Sequence, residues 1–187
     1  MTSLGTIGIR ERFAPLADIV HETAMVEKLI TRAQIVQLQV LARAGALAEQ
    51  QAAESSARVQ AHDMALRAIA AELGGVLRLT DRTVQRRITQ ARTIVEDYPA
   101  SLKAWEAGII TRGHVDVIVE AGADLPADIR RPFEAVAIQR CRRDTPNRVR
   151  AEIEVLALQM HPRSFTERHQ DAAAHRAVRV IPGRDGM

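Results

Sequence analysis

Residues 69–88 read IAAELGGVLRLTDRTVQRRI, and this segment predicts two helices separated by a short polar break. Before the break, apolar residues recur at the three- and four-residue spacing of an amphipathic helix. Thr80 and Asp81 then interrupt the pattern, and residues of this kind cap the N-terminus of a new helix. The arrangement predicts a helix-turn-helix-like segment over residues 66–97, in which the first helix supports the second.

The second helix of this segment has an apolar side and a polar side. At about 100° per residue, the apolar side comprises Val84, Ile88, Ala91 and Val95. The polar side and its flanks carry Arg and Gln, the side chains that pair with guanine and adenine edges in the major groove. The candidate DNA contacts are the polar residues Arg82, Gln85, Arg86, Arg87, Thr89, Gln90 and Arg92. A solvated polar face on an ordinary bundle helix is the alternative interpretation.

An upstream segment, residues 16–50, contains no Pro and a single Gly, and it predicts one long amphipathic helix. Its apolar stripe recurs at intervals of seven residues and consists of Ile19, Val26, Ala33, Val40 and Leu47. Such a helix is about 50 Å long, whereas a globule of this size is about 40 Å across. Packing against its own chain is the simpler interpretation, but the excess length leads us to predict a homodimer through this helix.

The residues that follow the long helix predict a connection and then the first helix of the helix-turn-helix-like segment. Residues 51–62 are polar and are interpreted as the connection. A helix then runs from Asp63 to Arg78, with Met64 and Val76 among its inward-facing residues.

The rest of the chain predicts further short helices, and the whole predicts an all-α, multi-helix bundle. Pro, Gly and Thr residues separate these helices, and a capping pattern at Ser164 opens the last of them. Only residues 177–182 look extended, which predicts a short C-terminal strand. We divide the chain into a helical arm with its connection (1–62), a helical domain (63–177) and an extended C-terminal tail that ends within an element (178–187).

The composition of the 187 residues narrows the class of protein. Aromatic residues make up only 3%, which argues against a stacking platform for single-stranded nucleic acid. Of the 26 basic residues, only Lys28 and Lys103 are Lys, and Arg is the better residue for bidentate contacts to phosphate and guanine. A GC-rich gene gives the same bias, so the preference for Arg does not by itself indicate DNA binding. The chain has no apolar signal region and no membrane span, so we expect a soluble, cytoplasmic protein without a membrane partner.

A second basic cluster surrounds the Thr145-Pro146 break. We take its members as candidate phosphate contacts: Arg140, Arg142, Arg143, Arg148 and Arg150. Stabilisation of a helix C-terminus by these charges is the alternative. The neighbouring arginines would also lower the pKa of the Cys141 thiol, although a structural cysteine is the simpler interpretation.

The sequence contains no complete catalytic or metal site. It shows no Ser–His–Asp order and no Gly-rich phosphate loop, and its six His are not spaced as metal ligands. His114 is interpreted as part of a helix start. We therefore expect no catalytic residue, no metal, no cofactor and no small-molecule substrate, and we expect this chain alone not to cleave DNA.

Several short motifs occur in a fixed order along the chain. They are Leu77–Ala91, Tyr98-Pro99, Trp105–His114, Asp144–Pro146 and Asp185–Met187. In these motifs the chain resembles the domain of unknown function 222, the 13E12-repeat family, whose members commonly carry an HNH endonuclease domain after this region. The resemblance implies a DNA-targeting or accessory role in an HNH-type or mobile-element protein. The ββα metal finger that an HNH site needs surrounds none of the six His.

Three functional classes remain open from the sequence. A double-stranded DNA-binding module is the interpretation that we favour, with duplex DNA and a second copy of the chain as partners. A structural or oligomerising helical domain is the second, and a catalytic domain of an unrecognised type is the third.

Overall fold

This computed structural model describes residues 5–53 and 58–162, with side chains from Pro15 onward except that of Arg58, and these ranges form seven helices without a strand. The helices are α1 (Gly5–Ala53), α2 (Arg58–Leu77), α3 (Asp81–Asp97), α4 (Pro99–Glu106), α5 (Arg112–Ala121), α6 (Ala127–Cys141) and α7 (Pro146–Met160). The expected all-α, multi-helix bundle is confirmed. The predicted helix from Ser164 and strand over residues 177–182 lie outside the described residues.

The helices form two groups that meet where α3 leads into α4. The second half of α1 packs with α2 and α3, while α4, α5, α6 and α7 pack around one another. Aliphatic side chains form most of the core, as the low aromatic content predicts. The large aromatic residues Tyr98, Trp105 and Phe133 are fully buried and fill the α4–α6 region.

Helix α1 is continuous, as predicted, and only its second half joins the core. At 1.5 Å per residue, its 49 residues extend about 74 Å. Its buried side chains include Ile35, Leu38 and Ala42, whereas every described residue from 15 to 30 is exposed. The apolar stripe that recurs every seven residues lies on the opposite side of the helix and stays exposed. Packing against the chain's own bundle therefore does not cover that stripe.

Helix α2 differs from the prediction in its start and in its inward face. It begins at Arg58, so part of the expected connection forms its first turns. Met64 and Val76 are 71% and 81% exposed, and the expectation that they point inward is wrong. The buried stripe instead follows Ala70 at steps of three and four residues, and Met64 and Val76 fall outside it.

Among the described helices, none combines the length and the apolar character that crossing a bilayer requires.

Candidate nucleic-acid interface

A three-residue turn joins α2 to α3 and fixes their relative position. Arg78 takes a left-handed backbone conformation with φ of 54°, and the Leu79 amide donates to the Gly74 carbonyl at 3.1 Å. A Cβ on Gly74 would lie 2.8 Å from the Leu79 carbonyl oxygen, so the turn requires glycine there. Thr80 then caps α3, because its hydroxyl accepts from the Thr83 amide at 3.3 Å. The short polar break that the sequence predicts between the two helices thus has a definite local cause.

Helix α3 is anchored by one apolar side. Val84, Ile88 and Ala91 are buried, as the helical periodicity predicts. The fourth buried residue is Ile94, whereas the predicted Val95 is half-buried. Near the C-terminal end of α3 the buried face therefore includes Ile94, and the outer side of the helix still faces solvent.

The outer side of α3 carries three exposed arginines, Arg82, Arg86 and Arg87, which we call the arginine surface. None of the three has a hydrogen-bond or ion-pair partner among residues 5–53 and 58–162. Arg82 and Arg86 are one helical turn apart and point the same way. Their charge and their N–H donors are available to a ligand.

Two uncharged candidates flank the arginine surface. Thr89 is exposed, and its hydroxyl donates to the Gln85 carbonyl at 3.1 Å, which leaves the hydroxyl oxygen able to accept. Gln85 itself is half-buried. Both stay candidates for contacts beside the arginines.

The side chains of the remaining two candidates on α3 bond to residues of other helices. Gln90 donates to Asp116 of α5 at 3.1 Å. Arg92 pairs with Glu96 at 2.8 Å and with Glu49 of α1, and these carboxylates raise its pKa, Glu96 most strongly. Both side chains are already used for packing between helices, so a DNA contact through either would require these bonds to break.

A cleft of about 290 Å³ lies beside the arginine surface, where α1, α3 and α5 meet. Arg87 and Arg112 line it together with Gln34 and Gln37. Arg112 pairs with Asp116 at 3.0 Å and stacks over the Trp105 ring at 5.4 Å. The cleft presents polar N–H groups next to α3, as a phosphate contact would need.

Sequence reasoning missed two arginines near this surface. Arg78 is exposed in the turn directly before α3, and Arg112 reaches the cleft from the start of α5. The turn position of Arg78 was a signal available in the sequence. Arg112 lies 25 residues beyond Arg87, and no local pattern connects the two.

The second basic cluster, between α6 and α7, is mostly paired. Arg140 lies 3.4 Å from Glu152, Arg148 lies 3.4 Å from Asp144, and Arg150 pairs with Glu120. In the same cluster, Arg142 donates to the Gln139 side chain at 3.3 Å. Arg143 is exposed and has no partner in the described part of the chain. These arginines stay candidate phosphate contacts, but most of their charge is already matched.

Cys141 is part of the core and not of this basic cluster. It is 1% exposed, and burial together with Glu152 raises the pKa of its thiol to about 11. The structural cysteine that the sequence favours therefore agrees with the structure, and the alternative, a thiol pKa lowered by neighbouring arginines, is wrong.

His114 has a structural role, as the sequence predicts. Its Nδ1 accepts from the Thr111 amide at 3.1 Å, so its Nε2 carries the proton and donates to the Asp144 carbonyl at 2.9 Å. The imidazole thus caps α5 and ties it to the loop before α7.

The fold is an all-α, multi-helix bundle with a long N-terminal helix. The chain belongs to the family described as Domain of unknown function (DUF222), whose sequence profile matches residues 32–187. The resemblance seen in the sequence motifs is thereby confirmed. Comparisons with curated proteins and with solved structures found no significant match.

Proposed function

We propose that this protein is a double-stranded DNA-binding helical domain in which α3 contacts the duplex. The observation that carries the proposal is the arginine surface, whose three guanidinium groups have no carboxylate partner in the described part of the chain. Several arginines elsewhere are paired with a carboxylate, among them Arg130 with Asp97 and Arg150 with Glu120. An unpaired, exposed guanidinium offers bidentate donors to phosphate or to guanine.

The position of α3 suits contact with a groove. The major groove of B-DNA is about 12 Å wide and admits a single helix. In helix-turn-helix proteins the N-terminal residues of the second helix reach base edges, and Arg82 and Arg86 occupy the first two turns of α3. Arg87, on the flank beside the cleft, is a candidate for a backbone phosphate contact, whereas Arg112 in the same cleft is already paired with Asp116.

The family resemblance supplies the biological context of the proposal. Members of the family commonly carry an HNH endonuclease domain after this region. Such an arrangement is consistent with a DNA-targeting or accessory part of a nuclease or mobile-element protein. In this role the chain positions a nuclease on cytoplasmic DNA and supplies no catalytic group of its own.

A structural or oligomerising domain is the second candidate function. The observation that favours it is the apolar stripe of α1, whose side chains are exposed. The apolar side of α3, in contrast, is buried in the bundle. The two functions are compatible, since a dimer can present two reading helices to DNA.

Fluorescence anisotropy with a labelled random-sequence duplex tests the proposed function. Titrations between about 50 and 200 mM salt should show affinity that falls with salt, because bound arginines displace counterions. The Arg86→Ala variant should bind about tenfold more weakly, and its log–log salt slope should be roughly 0.9 smaller if a phosphate contact is lost. Arg131→Ala is the matched control, since Arg131 is an exposed arginine on α6.

Two results would count against the proposal. Absence of salt-sensitive binding by the wild type at micromolar concentration would favour the structural domain. Equal losses in Arg86→Ala and Arg131→Ala would show that only net charge matters and that α3 has no special role.

A further inference from the structure

The first half of α1 projects from the bundle, and along both halves one side of the helix keeps large apolar side chains uncovered. Six of these side chains are between 41% and 61% exposed, namely Ile19, Val26, Leu29, Val36, Val40 and Leu47. Uncovered apolar area of this length is typical of an interaction surface.

The stripe follows a heptad repeat, the pattern of two helices packed along their length. The first apolar position of each heptad is Ile19, Val26, Ala33, Val40 and Leu47. The second position, three residues later, is Glu22, Leu29, Val36 and Arg43. We call these nine residues the heptad seam.

The heptad seam lies opposite the side of α1 that packs into the bundle. Ile35, Leu38 and Ala42 make bundle contacts, and they occupy two other positions of the heptad, outside the seam. A second helix can therefore lie on the seam without displacing α2 or α3.

We infer that the occupant of the heptad seam is a second copy of this chain, with the two α1 helices antiparallel. In an antiparallel pair, first and second heptad positions face each other. Centring the pair on Thr31 places Val26 against Val36 of the partner subunit and Leu29 against Ala33 of the partner subunit. The four central layers of the seam are then all apolar.

The charged residues of the seam select the antiparallel orientation. A parallel pair would place Glu22 against Glu22 of the partner subunit, and the two Arg43 side chains would meet in the same way. The antiparallel pair instead places Arg43 one layer from Glu22 of the partner subunit and beside Asp18 of the partner subunit. These three residues are exposed and have no ion-pair partner in the described part of the chain. Like charges close together in a seam are destabilising, whereas opposite charges are not.

One pair of like charges remains in the antiparallel arrangement. The two Arg32 side chains lie near the twofold axis, at the solvent edge of the seam, where water and salt screen their repulsion. The repulsion between the two Arg32 side chains is therefore small and does not affect the apolar layers of the seam.

A groove beside the seam extends the surface onto α3. Val36 and Val40 of α1 line it with Val95 of α3, and its volume is about 510 Å³. In the antiparallel pair, Met25 of the partner subunit lies along this groove. The groove explains why Val95, predicted as a core residue, is only half-buried in a single chain.

Sedimentation velocity tests the association without reference to DNA, so its outcome is independent of the proposed function. The wild type should sediment as a dimer at tens of micromolar. Val26→Glu combined with Val36→Glu should give a monomer with unchanged helicity, because both changes place charge in central layers. Val20→Glu combined with Gln34→Glu adds the same charge to exposed positions outside the seam and should stay dimeric. A monomeric wild type, or a dimer that survives the first pair of changes, overturns the inference.

Cysteine cross-linking tests the orientation. A mixture of Val26→Cys and Val36→Cys chains should form disulfide-linked dimers under mild oxidation, because the two positions share a layer. Val26→Cys alone should not cross-link, since two copies of position 26 lie about 15 Å apart along the antiparallel pair. The natural Cys141 is buried, and the wild type serves as the control. Efficient cross-linking of Val26→Cys alone would indicate parallel helices and overturn the orientation.

Discussion

Glu134 is a carboxyl group enclosed between α4 and α6. It is 2% exposed and accepts a hydrogen bond from the Ser101 amide at the start of α4. Burial raises its pKa above the ordinary value, and the Ser101 amide opposes part of that shift. Because its folded-state pKa exceeds its unfolded-state pKa, the charged form weakens the fold as pH rises.

We therefore predict that Glu134→Gln changes the pH dependence of stability. The wild type should lose stability relative to the variant as pH rises from 4.5, the ordinary value, through the raised folded-state pKa. Well below pH 4.5 the carboxyl is protonated in both states, so the difference between the two proteins should be constant there. Urea unfolding followed by circular dichroism at a series of pH values gives both free energies. A difference that does not change with pH would contradict this account of Glu134.

At the scale of single residues, the sequence identifies which candidate DNA contacts are exposed. It does not identify the carboxylates with which some of these candidates pair in the folded chain. Periodicity places Arg82 and Arg86 on the outer side of α3, and the structure agrees. Arg92 looks equivalent in the sequence, but Glu49 lies 43 positions earlier and only the folded chain brings the two together. For Cys141, the neighbouring arginines are visible in the sequence, whereas its burial depends on how α6 packs.

Among the elements, the contact between α1 and α3 depends on one glycine. A Cβ on Gly45 would lie 2.9 Å from Ile88 and would also collide with the Arg92 side chain. The absence of a side chain lets α3 approach α1 closely, and Arg92 then reaches Glu49 across the contact. This contact fixes the angle at which α3 presents its outer side.

Gly45→Ala should destabilise the protein, and Gly75→Ala should not. Overpacking at a close helix contact costs about 1–3 kcal/mol. A Cβ on Gly75 meets nothing within 4 Å, so its replacement in α2 should stabilise by about 0.5–1 kcal/mol through helix propensity. Urea unfolding of both variants at one protein concentration measures the contrast. Equal effects at the two positions would show that α1 and α3 are less tightly packed than the structure indicates.

The elements themselves were predictable to different degrees. Caps and breakers at Thr80, Pro99 and Thr111 mark helix starts that the structure confirms. The seven-residue stripe of α1 predicts the helix, but the bundle uses the opposite side, since Ile35, Leu38 and Ala42 form a second apolar face. A single helix with two apolar faces does not reveal which one its own chain will cover.

For the whole molecule, charge pairing distinguishes two arginine-rich regions that the composition cannot separate. Three of the five arginines between α6 and α7, namely Arg140, Arg148 and Arg150, pair with carboxylates of α7, of the loop before α7 and of α5. The arginines of the arginine surface on α3 do not pair in this way within the described part of the chain. In the proposed dimer, each subunit contributes one such surface, so two reading helices belong to one particle.

The most direct measurement of the central claim compares these two regions at equal charge loss. One variant combines Arg82→Ala, Arg86→Ala and Arg87→Ala, and the other combines the carboxylate-paired changes Arg140→Ala, Arg148→Ala and Arg150→Ala. Anisotropy titrations with the same duplex at one salt concentration give both affinities. We predict that the first variant binds at least about a hundredfold more weakly than the wild type, a loss near 2.7 kcal/mol, and that the second stays within about threefold. Wild-type affinity in the first variant would contradict the account, and loss of binding in the second alone would move the interface to α6 and α7.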